Sequence, residues 1–164
     1  DMIGGGEYTC FLNGNENACT PEMFVRYAQI AALMPVMQFS ASPWRVLPEA
    51  DFQKVKDALA LRGKCLPEIL KAVENAKATG EPIARSMEFV FPGQGMERVM
   101  DQFMVGDALL VAPVWKQGEV VRSVTLPEGQ WRCVGLGETE GDVLNGGRDV
   151  VLGENDGLVV LRRE

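Results

Sequence analysis

No histidine occurs anywhere in this chain. Ser-His-Asp and Cys-His relays therefore cannot be assembled from its own residues, and imidazole-ligated metal centres are excluded with them. Any chemistry here is then expected to use carboxylates, or to belong to residues outside this segment. Asp1 stands ahead of Gly4-Gly5-Gly6. Glycines there would let backbone approach a ligand closely, and a carboxylate beside them can accept hydrogen bonds from a hydroxylated ligand. A glycine-rich turn between two elements is the plainer reading of the same residues. Ser40 follows the short run Val36-Met37-Gln38-Phe39 and fits either a loop position or a polar contact. Trp44, within Ser42-Pro43-Trp44-Arg45, can stack on the apolar face of a ring or be buried for its area. Glu7, Glu16, Glu49 and Asp51 offer further carboxylates.

Four cysteines, Cys10, Cys19, Cys65 and Cys133, are scattered without a C-x-x-C pair, which argues against zinc and against a thioredoxin-like redox site. Reduced, partly buried thiols are the expectation, and they tilt the reading towards a reducing compartment; the destination itself is not encoded here. A formal charge of −7, spread along 164 residues, opposes nucleic acid as a partner, because phosphates would be repelled. No apolar run approaches the ~20 residues needed to span a bilayer, so no membrane partner is expected. Oligomeric state is not encoded in any pattern found.

The elements that must position these residues fall into two compositional halves. Up to about Thr79 the chain is rich in alanine and other helix formers; beyond Gly80, Val, Leu, Gly and Pro recur at strand-and-turn spacing. Thr20-Pro21-Glu22 reads as a helix start, with Thr20 as N-cap and Pro21 at the first helical position. Phe24, Ala28, Ala31 and Ala32 give that helix a face to bury, with Tyr27 beside it, and Pro35 ends it. Residues 36–39 read as a short strand followed by a loop. Asp51 is expected to open a long helix whose buried face carries Val55, Ala58, Leu59, Arg62, Leu66, Ile69, Leu70 and Val73. Pro67 should kink that helix, and Gly80 fits as its left-handed terminator. Strands are predicted at 83–89, 108–114, 120–126, 130–134, 148–152 and 158–162, separated by turn signals, which suggests an antiparallel sandwich.

Strand–loop–helix repeated with short strands is βα-barrel grammar. Two such units cannot close a barrel, so the first half reads as the remnant of one, with the chain truncated at its N-terminus. Such a remnant is expected to leave apolar helix faces and strand edges uncovered.

The most distinctive wording lies at 101–115. Asp101-Gln102-Phe103-Met104, then Gly106-Asp107, then Leu109-Leu110-Val111-Ala112-Pro113-Val114 resembles the "D-Q-F-M-x-G-D-x-L-L-V-A-P-V" segment of glycoside hydrolase family 31. Gly80-Glu81-Pro82-Ile83-Ala84-Arg85 before it and Leu126-Pro127-Glu128-Gly129 after it are similar to flanking family segments in the same order. The resemblance implies a fold of two parts: residues 1–79 as the last two βα units of a (β/α)8 catalytic barrel, and residues 80–164 as the proximal C-terminal β-sandwich. The fold class is thus α/β followed by all-β.

Asp1-Met2-Ile3-Gly4-Gly5 resembles the family's "D-I-G-G-F", whose aspartate helps build the subsite for the sugar being cleaved. Met2 intervenes between the aspartate and Ile3, and Gly6 stands where the family often has an aromatic. Residues 27–35 resemble the helix before the eighth barrel strand, which normally leads into "R-x-H"; here Gln38-Phe39-Ser40 takes those positions and Ser40 replaces the sugar-binding histidine. Pro43-Trp44 is similar to the "P-W" that follows.

Substrate-binding residues implied by the resemblance are therefore Asp1, Ser40 and Trp44. Both catalytic aspartates of the family lie on earlier barrel strands, and none of the acids here corresponds to either, so no catalytic residue is expected in this chain. The implied activity of the parent is retaining hydrolysis of terminal α-linked sugars: α-glucosides foremost, α-galactosides or α-xylosides as alternatives. An α-glycoside is the implied partner, no cofactor or metal is implied, and the isolated chain is expected to be inactive. The rival reading is a non-catalytic β-sandwich, carbohydrate-binding or scaffolding, with a helical hairpin attached.

Overall fold

Thr20 starts the first helix as its residue type dictates. Its backbone is extended, and its hydroxyl accepts a hydrogen bond from the Met23 N–H at 3.1 Å. The computed structural model describes residues 2–6, 19–119, 121–135, 140–152 and 158–164. Helix α1 spans Pro21–Ala32 and ends at Leu33, two residues before Pro35. A single turn, α2, covers Pro43–Val46. The long helix α3 runs Glu49–Thr79, starting two residues earlier than Asp51, and closes on Gly80 in the left-handed region at φ 79°. It continues unbroken through Pro67. The ring's clash and missing N–H fall on the carbonyl of Gly63 one turn back; both residues lie on the exposed side, away from the packed face.

The buried face of α3 differs from its predicted phase. Val55, Ala58, Leu61, Cys65, Ile69 and Ala72 are buried, whereas Leu59, Leu66 and Leu70 are exposed. Both stripes satisfy helical spacing, and the neighbouring sheet chooses between them. Arg62 is held at the boundary, donating to the carbonyls of Ala32, Met34 and Pro35 at 2.6–3.1 Å.

Among the described residues beyond Gly80 lie eight antiparallel strands: β1 Ala84–Ser86, β2 Phe103–Val105, β3 Leu109–Pro113, β4 Arg122–Leu126, β5 Gln130–Cys133, β6 Val143–Asn145, β7 Arg148–Leu152 and β8 Leu158–Arg163. Six form one sheet in the order β1-β2-β3-β8-β5-β6; β4 and β7 form a second. The strand expected at 83–89 stops at Ser86, whose hydroxyl caps a short helix α4, Met87–Val90, by accepting from Phe89 N–H at 3.3 Å. Strands β2 and β6 were not predicted. Residue 120, the start of another predicted strand, lies outside the described residues.

Both faces of the large sheet are covered, which explains the unbroken apolar run of β3. Leu109 and Val111, with Val160 and Val105, pack against Leu61, Cys65, Ile69 and Ala72 of α3. Leu110 and Ala112, with Leu161 and Trp131, turn to the opposite side and meet Val124 and Leu126 of the small sheet. The structure therefore has helices first, then an antiparallel two-sheet region, joined by a core that crosses Gly80. The expectation that a barrel remnant leaves apolar helix faces uncovered is corrected for α3, which buries its stripe against the sheet. A third cluster gathers Phe24, Ala28 and Ala31 of α1 around Ile3 and Val55.

Candidate functional site

Residues 2–6 and 38–41 come together at one end of α1. Ile3 and Phe39 form a parallel bridge, isolated rather than part of a longer strand. The predicted strand at 36–39 is thus reduced to that single pairing. Ile3 N–H donates to the Gln38 carbonyl at 3.1 Å, and the Ile3 carbonyl accepts from Ser40 N–H at 2.9 Å. Ile3 itself is fully buried, and Phe39 stacks on Phe24 with ring centroids 6.3 Å apart.

Gly4 is required where it stands. Its φ is +69°, and a Cβ there would lie 2.6 Å from a Phe24 ring carbon and 2.9 Å from the Ala41 Cβ. A side chain would be strained in backbone and in space at once.

Ser40 lies at the surface of this junction, and its Oγ accepts from Met2 N–H at 3.1 Å. The same hydroxyl reaches Gln38 Oε1 at 3.5 Å. Asp1 lies outside the described residues, as do Glu7, Glu16 and Cys10. Trp44 sits on α2 with 67 % of its surface exposed, so its bulk is not spent in the core. Pro43 beneath it is buried and anchors the turn.

The two described acids that offered a carboxylate pair are engaged elsewhere. Glu49 meets Lys56 at 3.3 Å and Asp51 meets Lys54 at 3.0 Å. Among the described residues no group of three His, Cys, Asp or Glu could hold a metal, and no described helix is long and apolar enough to cross a membrane. Cys65 is fully buried, and that burial, with the nearby Glu68 carboxylate adding to it, pushes its thiol up to about 11. It is a packing thiol, not a nucleophile.

One concavity escaped the reading of the sequence. A groove of about 350 Å³ opens between α1 and residues 115–117, with Met23, Tyr27 and Trp115 on its walls. Its loop wall is latched to the helix: Glu22 Oε1 accepts from Gly118 N–H at 2.8 Å, and Arg26 donates to the Glu119 carbonyl at 2.6 Å. The signal available in sequence was Met23, Tyr27 and Ile30 at i, i+4, i+7, off the buried stripe.

Residues 80–152 match the family described as "Glycosyl hydrolase family 31 C-terminal domain". The myogenesis-regulating glycosidase of Mus musculus is 38% identical over 135 residues, covering 80% of this chain and 19% of that protein. This chain belongs to glycoside hydrolase family 31. A family 31 relative from Saccharolobus solfataricus, named alpha-glucosidase, is 30% identical over 86% of the chain and 20% of its own length. Among solved structures, the cycloalternan-forming enzyme of Listeria monocytogenes in complex with pentasaccharide substrate superposes with a TM-score of 0.79 at 28% identity, over 88% of this chain and 15% of that one. The family 31 chain described here thus spans about a fifth of the length of these curated relatives.

Proposed function

We propose that this chain is the C-terminal portion of a retaining α-glycoside hydrolase: residues 1–79 the final βα units of its catalytic barrel, residues 80–164 the proximal β-sandwich. The parent hydrolyses terminal α-linked sugars, α-glucosides foremost, with α-galactosides and α-xylosides as the next candidates. One aspartate of the longer protein attacks the anomeric carbon. A second protonates the leaving oxygen and then activates water. Both belong to preceding barrel strands, so this segment supplies substrate contacts and no catalytic group.

The observation that carries the reading is the parallel bridge between Ile3 and Phe39, with Ser40 and the exposed Trp44 just beyond it. Parallel neighbouring strands of a βα-barrel end at the same rim, and that rim is where such folds place their substrate contacts. Asp1, Ser40 and Trp44 are then substrate-rim residues: a carboxylate to bind sugar hydroxyls, a hydroxyl within the rim, and an indole to stack on a pyranose face. The rival, a free-standing β-sandwich module, fits less well. The likeness to the mouse glycosidase extends over 135 residues, longer than the whole stretch after Thr79, and so includes helical wording a free module does not need.

The test is kinetic, in the full-length hydrolase on aryl α-glycosides. Asp1→Ala is expected to lower kcat/KM by about one to two orders of magnitude, as for loss of a charge-assisted hydrogen bond of ~1.5–3 kcal/mol. Trp44→Ala should raise KM roughly threefold to tenfold, on the scale of an aromatic contact. Wild-type kinetics for both would remove this rim from the substrate site.

A further inference from the structure

We infer that the groove between α1 and residues 115–117 binds a neutral carbohydrate, a short run of pyranose rings held against Trp115 and Tyr27. The inference does not depend on the rim reading above.

A pyranose presents an apolar face of C–H groups and an edge of hydroxyls that donate and accept. What recognises it is an open aromatic ring beside hydrogen-bonding groups that are not otherwise engaged. The groove carries both. Tyr27 stands on the helix wall and Trp115 on the loop wall, 39 % and 59 % exposed, although such rings are ordinarily buried for their area. Lys116 Nζ lies 5.4 Å from the Trp115 ring centroid and so engages one face of the indole. The Trp115 indole N–H, the Tyr27 hydroxyl and the Gln117 carboxamide make no hydrogen bond among the described residues. Together they offer donors and acceptors of the kind that sugar hydroxyls pair with.

Charge decides against other ligand classes. The three charged residues lining the groove are all engaged: Glu22 with Arg26 at 3.6 Å, and Lys116 with Glu119 at 3.3 Å. A phosphate or nucleotide would have to displace those carboxylates on a chain of net charge −7. The walls are also set in advance, since Glu22 Oε1 accepts from Gly118 N–H and Arg26 donates to the Glu119 carbonyl with no ligand present. A preformed cleft binds without the cost of ordering its loop. Its volume of about 350 Å³ falls within the ~300–1,000 Å³ typical of small-ligand sites.

The test titrates the purified chain with maltotetraose and with isomaltotetraose. Trp44→Phe is introduced first, so that the exposed indole is that of Trp115. Two-dimensional amide NMR follows the Trp115 indole N–H and the Gln117 and Gly118 backbone amides. At least one sugar should give saturable shifts there, with Kd on the order of 1 mM. Trp115→Ala should weaken binding about tenfold, and Tyr27→Phe, which keeps the ring and removes the hydroxyl, about threefold. Tyr27→Phe and Gln117→Ala carry the test if Trp115→Ala folds poorly. Raising the salt should change affinity less than about 1.5-fold, because no free charge holds the ligand. Absence of saturable shifts with both sugars would overturn the inference, as would unchanged affinity in Trp115→Ala and Tyr27→Phe. Tighter binding of inorganic phosphate at the same amides would do so as well. So would a chain that is dimeric by sedimentation and becomes monomeric with Trp115→Ala, which would assign the groove to a second copy.

Discussion

Replacing Ile69 with alanine should unfold the helices and the sheet together. Ile69 is 1 % exposed, about two-thirds of the way along α3, in the core that also holds Leu109, Val111 and Val160 of the sheet. Truncating a buried isoleucine to alanine costs about 2–5 kcal/mol, from lost transfer energy and the cavity left behind. Alanine's better helix propensity returns a few tenths of a kcal/mol, so a net loss of about 3 kcal/mol is expected. For a chain of this length a loss of 1 kcal/mol lowers Tm by ~2–4 °C, which puts the shift near 6–12 °C. The assay follows helix content by circular dichroism at 222 nm and the environment of Trp131 by fluorescence. Trp131 is fully buried on the far face of the sheet, against Val124 and Leu126. Trp44 and Trp115 are both exposed and are replaced by phenylalanine to leave one reporter. Both signals should move to the same lower midpoint. If the Trp131 midpoint stayed at its wild-type value while the helix signal fell, the core crossing Gly80 would be energetically idle and the two halves independent.

Two further outcomes follow from single side chains. Cys65, whose thiol is held up to about 11 against an ordinary 9.0, should resist alkylation at pH 8 in the folded protein. Its folded pKa is raised, so the stability tied to the protonated thiol is complete below about pH 9 and is lost as pH rises towards 11. The stability difference between wild type and Cys65→Ala should therefore shift against the wild type by about 2–3 kcal/mol across that window; a constant difference would refute it. Arg85, nearly buried, donates to Asp107 at 2.6 Å, to Glu81 at 2.9 Å and to the Pro82 carbonyl at 2.7 Å. Arg85→Met should cost about 1–3 kcal/mol in urea unfolding and should be non-additive with Asp107→Ala; strict additivity would mean the pair does not couple.

The caps were legible because each depends on one residue's local chemistry: Thr20 at the start of α1 and Gly80 at the end of α3 behave as their types require. Strands β3, β7 and β8 were legible from their apolar runs and the turns around them. Strand β2 was not, since Phe103-Met104-Val105 is only three residues long and becomes a strand by pairing with β3 across Gly106. The phase of α3 was misread because Leu59, Leu66 and Leu70 fit helical spacing as well as the buried stripe does. What selects the latter is non-local: Gly106 at φ +55° brings the sheet so close that a Cβ on it would sit 3.0 Å from Ala72 Cβ. The resemblance pointed to Ser40 and Trp44 by position, but the bond from Met2 N–H to Ser40 Oγ needs the parallel pairing of Ile3 with Phe39, which no window of sequence contains.

The central claim is that this family 31 chain carries substrate contacts while the catalytic carboxylates lie elsewhere in a longer protein. It is tested most directly by assaying the purified chain and the full-length hydrolase side by side on 4-nitrophenyl α-glucoside, α-galactoside and α-xyloside. The full-length protein should turn over at least one of them with retention at the anomeric carbon, read by NMR of the first-formed product, and the chain alone should turn over none. Turnover by the chain that co-purifies with it would contradict the account, because no carboxylate pair assigned here could support it.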